Sequence, residues 1–301
     1  MRGFPMVEPA VKPYLGLLVG VIAVSFASIF IRLAEAPSLV IAAYRLTIAS
    51  LILTPSALRR SREELKGMEG RDVLLALTAG LFLGLHFASW ITSLEYTSVA
   101  SSVVFVNTHP LFVGIASHFL LKERLSRQMW AGIALSVLGG TVIGLGDMAL
   151  GPGELWGDLL AIVGAAMMAA YLLIGRRLRA KLSLLSYIVL VYWTAAAMLV
   201  ALCLAAGQSF TGYSSQTYLM FVLLALVPQI IGHSSFNWAL RYLSASFVAI
   251  SVLGEPVCST LLAHLILSEV PTIPKAVGGA LILAGIYISS REEEAKGESR
   301  C

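Results

Sequence analysis

Two long apolar runs carry side chains at their centres that could do chemistry. Residues 99–121 hold Asn107, His109 and Pro110 within one turn. Residues 245–267 hold Glu255 and Pro256 at the matching place, 146 residues later. A carboxyl in such a run can hold and release a proton, and intramembrane carboxyls are the usual proton relays of pumps and carriers. Proline removes a backbone N–H and clashes one turn back, so the carbonyls of Val106 and Val252 lose their helical partners. Further polar groups recur at helical spacing. Gln229, His233 and Asn237 lie four apart, which puts them on one helix face near Pro228 and Gly232. His86, Ser89, Trp90 and Ser93 share another face. Arg45 stands about seven residues inside an apolar run, roughly 10 Å deep at 1.5 Å per residue. It could snorkel outward, or its planar fork could grip a carboxylate. These groups bind and orient; they do not form a catalytic set. No HExxH, GxSxG or phosphate-binding loop occurs, and the five histidines are scattered. The three cysteines, Cys203, Cys258 and Cys301, form neither a disulfide framework nor a metal pattern. No catalytic residue, metal site or cofactor is expected.

The elements that position these groups follow from composition. Of 301 residues, 58% are hydrophobic and 13% charged, against about 25% charged in a soluble domain. Mean hydropathy is +0.85. A soluble chain of this size could not hide so much apolar side chain, because its surface needs polar cover. The sequence therefore reads as an all-α integral membrane protein. A span needs about 20 apolar residues for a core of about 30 Å. Ten candidates result: 13–33, 38–56, 72–94, 98–121, 127–146, 155–175, 184–206, 216–240, 244–267 and 273–290. The first is longer than a signal-peptide apolar segment of about 7–15 residues, so it is expected to be retained. The charged end, residues 291–301, is expected to be a disordered cytoplasmic tail.

Placing both termini in the cytoplasm puts 18 of the 21 lysines and arginines on the inner side. The positive-inside rule favours that topology, in the cell membrane and with many passes. The same rule accounts for the basic balance, so no nucleic-acid partner is expected; the partners are a small-molecule substrate and the lipid bilayer. In lipid an unpaired backbone carbonyl costs several kcal/mol, so the two proline bends must face protein or water. The alternative of plain helix–helix glue stays open for Asn107 and His109.

Residues 94–139 align with 240–285 without a gap, and 12 of the 46 positions are identical, Pro110 with Pro256 and His118 with His264 among them. Trp90 aligns with Phe236. Five spans per half is an odd number, so the second half enters the membrane from the opposite side, as in carriers built from inverted repeats. The halves are residues 1–150 and 151–290. The glycines Gly132, Gly139, Gly140 and Gly144, with Gly278, Gly279 and Gly285, make smooth faces on the fifth and tenth spans. Those spans are expected at the periphery, with a homodimer contact through them as one use of the faces. Glu123 and Glu269 end the fourth and ninth helices, and Ser126 and Thr272 read as N-caps of the spans that follow.

With "AAYRLTIASLIL" in the second span, and "TSVASSVVFVNTHPLFVGIASHFLLKERLSRQMWAGIALSVLGG" paired with "LSASFVAISVLGEPVCSTLLAHLILSEVPTIPKAVGGALILAG", the chain resembles an EamA-type member of the drug/metabolite transporter superfamily. Both stretches have Pro, then Glu thirteen on, then Gly nine on. The resemblance implies two inverted five-helix repeats around a central cavity. It also implies a secondary carrier of small metabolites, often an exporter of amino acids or related compounds, without ATP hydrolysis. His109 departs from the commoner acidic residue before the proline, which Glu255 keeps. The expected cavity residues are Arg45, His86, Trp90, Asn107, His109, His233, Asn237 and Glu255, with Glu255 as proton-coupling candidate and Pro110 and Pro256 as kinks. The alternatives are an intramembrane metal-dependent enzyme, using the histidines, Glu255 and Asp147, and a channel-like membrane protein.

Overall fold

The computed structural model describes residues 11–97, 102, 105–120, 125–147, 155–267 and 273–298. Within them the chain is helical and contains no strand. The first span is α1 (Val11–Ser25) and α2 (Ala27–Leu33), offset at Phe26. Then come α3 (Ser38–Arg60), the short α4 (Arg62–Lys66) and α5 (Gly70–Tyr96). They are followed by α6 (His109–Leu120), α7 (Arg127–Asp147), α8 (Leu155–Arg179) and α9 (Leu184–Ala205). The next predicted span is three pieces: α10 (Ser215–Leu224), a π-helix (Ala225–His233) and α11 (Ser234–Ala239). The chain closes with α12 (Ala245–Val252), α13 (Gly254–Leu267) and α14 (Ile273–Glu298).

Seven stretches among the described residues are long and apolar enough to cross a membrane, from Val11–Leu33 to Ala245–Leu262. α7 and α14 occupy the fifth and tenth predicted spans. The fourth predicted span is described only in part, and Glu123, Glu269 and Thr272 lie outside the described residues. Large apolar side chains such as Leu51, Leu74, Leu138, Leu204 and Phe119 face outward, as suits contact with hydrocarbon rather than water.

The end of the chain corrects one expectation. α14 continues through Glu298, so residues 291–298 are helical instead of disordered. Glu, Ala and Lys are good helix formers, and nothing in "REEEAK" stops a helix already running. Glu292 is buried and accepts a hydrogen bond from Ser126, which also caps α7 by accepting from the Met129 N–H at 3.2 Å.

Glycine decides how closely the fifth and tenth spans approach. α7 and α14 run antiparallel and pack along their length. A Cβ on Gly139 would stand 2.5 Å from the Gly278 carbonyl, and one on Gly285 would stand 2.6 Å from the Gly132 carbonyl. Gly139 and Gly285 are equivalent in the two aligned stretches, as are Gly132 and Gly278, so one contact is the image of the other. Gly132, Gly139, Gly278 and Gly285 are thus covered within the chain. A second mirrored pair occurs deeper. Gly164 of α8 sits on Ser89 and Trp90 of α5, where a Cβ would lie 3.2 and 3.3 Å away. Gly20 of α1 sits on Ser235 and Phe236 of α11, where it would lie 3.0 and 2.7 Å away.

The connection between α3 and α5 is tied to the start of α9. Glu64 of α4 accepts from the Ser183 N–H at 2.7 Å and from the hydroxyls of Ser183 and Ser186 at 2.5 Å each. Lys181 pairs with Asp72 at 3.1 Å nearby. Burial by itself would raise the Glu64 carboxyl, but the hydrogen bonds from Ser183 and Ser186 outweigh it and hold the group below its ordinary value.

Gly139→Ala should lower the melting temperature, at a cost of about 1–3 kcal/mol, because the new methyl meets backbone. Gly140→Ala, whose Cβ would be 4.0 Å from the nearest atom, should leave it unchanged; equal effects would contradict the packing described. A carboxyl lowered in the folded state stabilises above its ordinary pKa, and the contribution disappears as pH falls through the folded value. Wild-type protein should therefore lose more thermal stability than Glu64→Gln between about pH 6 and about pH 3. Parallel melting curves would refute it.

Candidate functional site

The site is built around Arg45 on α3, which is 2% exposed. A charge at the centre of a span costs about 2.5–3.5 kcal/mol on insertion scales, so it needs partners. Its Nε donates to Gln229 Oε1 at 2.8 Å, and its Cζ lies 4.5 Å from the Phe87 ring centroid. The snorkelling account of Arg45 is therefore not what the fold does: the side chain is turned onto α5 and the π-helix. Glu255 is within electrostatic range of Arg45. It makes no hydrogen bond or ion pair through its carboxylate among the described residues, although Ser25 Oγ reaches its backbone carbonyl at 3.3 Å.

Pro228 lacks an N–H, and around it the backbone widens into the π-helix, a form that recurs at functional sites. There Gln229 and His233 are buried, and Asn237 follows on α11. Asn237 Nδ2 donates to Tyr171 Oη at 2.5 Å and to the His233 carbonyl at 2.9 Å. Tyr192 Oη lies 3.1 Å from Ser234 Oγ. His233 meets Phe87 edge to face at 5.4 Å between centroids. His86 donates from Nδ1 to the Gly164 carbonyl at 2.9 Å, which fixes that proton, and its ring stacks on Trp90 at 5.9 Å. Several buried polar atoms have no partner among the described residues: Trp90 Nε1, Gln229 Nε2, His233 Nδ1 and Asn237 Oδ1. Such atoms are expensive unless something binds them.

The predicted residues do not all meet. Arg45 lies within electrostatic range of His86, His233 and Glu255, His86 is also within range of His109, and Asn237 joins them through Tyr171. Asn107 instead borders Gly140 of α7. His109 turns back on its own helix, with Nδ1 3.2 Å from the Val106 carbonyl. That is the carbonyl Pro110 deprives of its N–H, so the histidine repairs the break that the proline makes. The helix is broken at residues 107–108 in the first half and at Leu253 in the second, in register with Pro110 and Pro256. Sequence reading does not single out Phe87, Tyr171 or Tyr192. The available signal was that both tyrosines fall in mid-helix rather than at a membrane edge. Among the described residues no three His, Cys, Asp or Glu side chains cluster as metal ligands would.

A separate apolar recess of about 190 Å³ is lined by Ala43, Tyr44, Thr47, Val200 and Phe210. It adjoins an aromatic cluster in which Tyr44 stacks on Phe221 at 4.4 Å and donates to the Phe210 carbonyl at 2.5 Å.

The description of the EamA-like transporter family matches the sequence twice, over residues 11–145 and 155–291. The chain belongs to that family. An uncharacterized transporter of Bacillus subtilis, YdfC, is 23% identical and aligns over 82% of this chain and 79% of its own length. A probable terminal-alkyne amino-acid exporter of Streptantibioticus cattleyicolor is 25% identical, with 82% of each chain covered. A protein of known crystal structure, 20% identical, has the same fold with a TM-score of 0.80, covering 95% of this chain and 99% of that one. The EamA-like chain is therefore a multi-pass membrane protein of a transporter family, not of an enzyme family.

His109→Ala should destabilise by about 0.5–1.5 kcal/mol, the usual worth of one hydrogen bond. In a Pro110→Ala background, where residue 110 regains an N–H for Val106, the same substitution should cost less by about that amount, only the loss of the buried side chain remaining. A double-mutant cycle in melting temperature tests this, and additive effects would reject the repair role.

Proposed function

We propose that the protein is a secondary transporter that exports small organic metabolites, amino acids or related compounds, by alternating access. In this reading ten spans form two inverted five-helix repeats around a central cavity, with both termini in the cytoplasm. The observation that carries it is the Arg45 group. Arg45 and Phe87 from the first half meet Gln229 and His233 from the second, and buried polar atoms on both sides are left without partners. A binding site between repeats, near the membrane midplane, is where carriers of this build hold their substrate. Further support comes from the family description matching once per half and from glycine contacts that recur with the 146-residue offset. The export direction and the amino-acid class rest on the Streptantibioticus cattleyicolor relative.

The breaks beside Pro110 and Pro256 are the hinges in this reading, and Asn107 and His109 stand at the first of them. Helices interrupted there can tilt without breaking a continuous hydrogen-bond ladder. Glu255 stands at the second hinge with an unpartnered carboxylate, and it is the group that takes up and releases the coupling proton. Trp90, His86 and Asn237 line the walls.

In proteoliposomes, uptake of a labelled substrate should saturate and show counterflow, which a channel would not. A pH gradient should drive it in the wild type and fail to drive it in Glu255→Gln. Gradient-driven flux that survives the substitution would remove the coupling role.

A further inference from the structure

Arg45 is a fixed positive charge, enclosed by helices, whose contacts are both neutral. Its Nε is held by the Gln229 amide oxygen and one face lies over the Phe87 ring. No carboxylate is within 4 Å of it among the described residues, and its two terminal nitrogens have no hydrogen-bond partner there. A guanidinium placed only for structure would be expected to be neutralised, because a buried unpaired charge is strongly unfavourable. The other buried arginine illustrates the structural case. Arg179 donates Nε to the Asn237 carbonyl at 3.0 Å and Nη1 to the Leu182 carbonyl, and so ties α8 to α11.

The amide beside Arg45 is half used in the same way. Because Nε can only donate, the Gln229 atom facing it must be oxygen, which leaves Nε2 as a donor. That Nε2 is buried and unpartnered, on a residue 0% exposed. His233 Nδ1, buried and without a partner among the described residues, belongs to the residue that meets Phe87 edge to face. Unpaired donors thus converge at the seam between the halves: the two terminal Arg45 nitrogens and the Gln229 amide.

We propose that Arg45 and Gln229 form the anchor for a carboxylate on the transported molecule. This rests on the transporter reading above and names the ligand chemistry of that site. With Nε already occupied, the free end of the guanidinium presents two parallel N–H groups, the arrangement that takes a carboxylate with two hydrogen bonds. Gln229 Nε2 supplies a third donor. One fixed positive charge matches a monoanion. A phosphate dianion would call for a second fixed cation, and Arg179 is committed to backbone carbonyls. Phe87 lies against Arg45, Trp90 stacks on His86 and Phe236 meets His233, so the rings next to the anchor are apolar and the ligand pairs a carboxylate with an apolar body.

The test uses the purified full-length chain in detergent, with L-phenylalanine, 3-phenylpropanoate and L-phenylalaninamide as probes and the melting temperature as readout. Both carboxylates should raise it saturably, and the amide should bind at least about tenfold more weakly. Arg45→Gln should lose both carboxylate responses. Arg45→Lys, which keeps the charge but not the fork, should recover part, and Gln229→Leu should weaken both carboxylates several-fold. If Arg45→Gln does not fold, the other two variants carry the test. The anchor is overturned if the amide binds as well as the acids, if neither carboxylate gives a saturable response, or if Arg45→Lys and Gln229→Leu keep wild-type carboxylate affinity. A protein that transports in vesicles without preferring acids loses only the anchor. One that binds acids but moves nothing loses only the transporter reading.

Discussion

A guanidinium inside a membrane protein has to be solvated by protein, because hydrocarbon offers it nothing. The architecture near Arg45 follows from that requirement. α3 brings the charge, α5 brings the Phe87 ring beneath it, and the π-helix brings the Gln229 amide to its Nε. A regular helix through Pro228 would change which side chains of that segment turn inward. The widened turn and the buried arginine therefore belong to one arrangement. What the protein does not supply, among the described residues, is a counter-charge in contact, and the proposed binding site rests on that deficit.

Backbone obeys the same rule. Two prolines in mid-run leave two carbonyls without donors, and hydrocarbon forbids leaving them bare. In the first half the histidine next to the proline turns its Nδ1 onto the orphan carbonyl. At the aligned position the second half has a carboxyl, which cannot donate when ionised. The aligned positions thus hold a repair group in one half and an acidic group in the other. Meanwhile the halves are held together where side chains are smallest. Gly139 against Gly278 and Gly132 against Gly285 allow backbone to touch backbone, and dispersion over that close contact replaces the hydrophobic drive that lipid removes.

Much of this was legible in the residues. Apolar runs located the helices, since a span in lipid must satisfy its own backbone and so is marked by length and hydropathy alone. The aligned stretches around Pro110 and Pro256 announced two related halves. Arg45, Gln229, His233, Asn237 and Glu255 stood out because polar groups in such runs are costly and need a reason. Other features were not legible. Phe87 is an ordinary apolar residue until a guanidinium rests on it. Tyr171 matters only because Asn237 reaches it from another helix. The end of the chain looked like a tail, yet Glu292 is buried against Ser126.

The sequence by itself determined an all-helical membrane chain, the duplicated halves and the positions of the proline breaks, because these depend on hydropathy, periodicity and backbone chemistry within one segment. Only the tertiary structure decided which polar residues face one another. That choice separated Arg45, turned inward onto Gln229, from His109, turned back on the Val106 carbonyl, and from Asn107, set against Gly140. The direction a side chain takes depends on what the neighbouring helix presents, and helix neighbours are set by glycine contacts and crossing geometry that no single segment encodes.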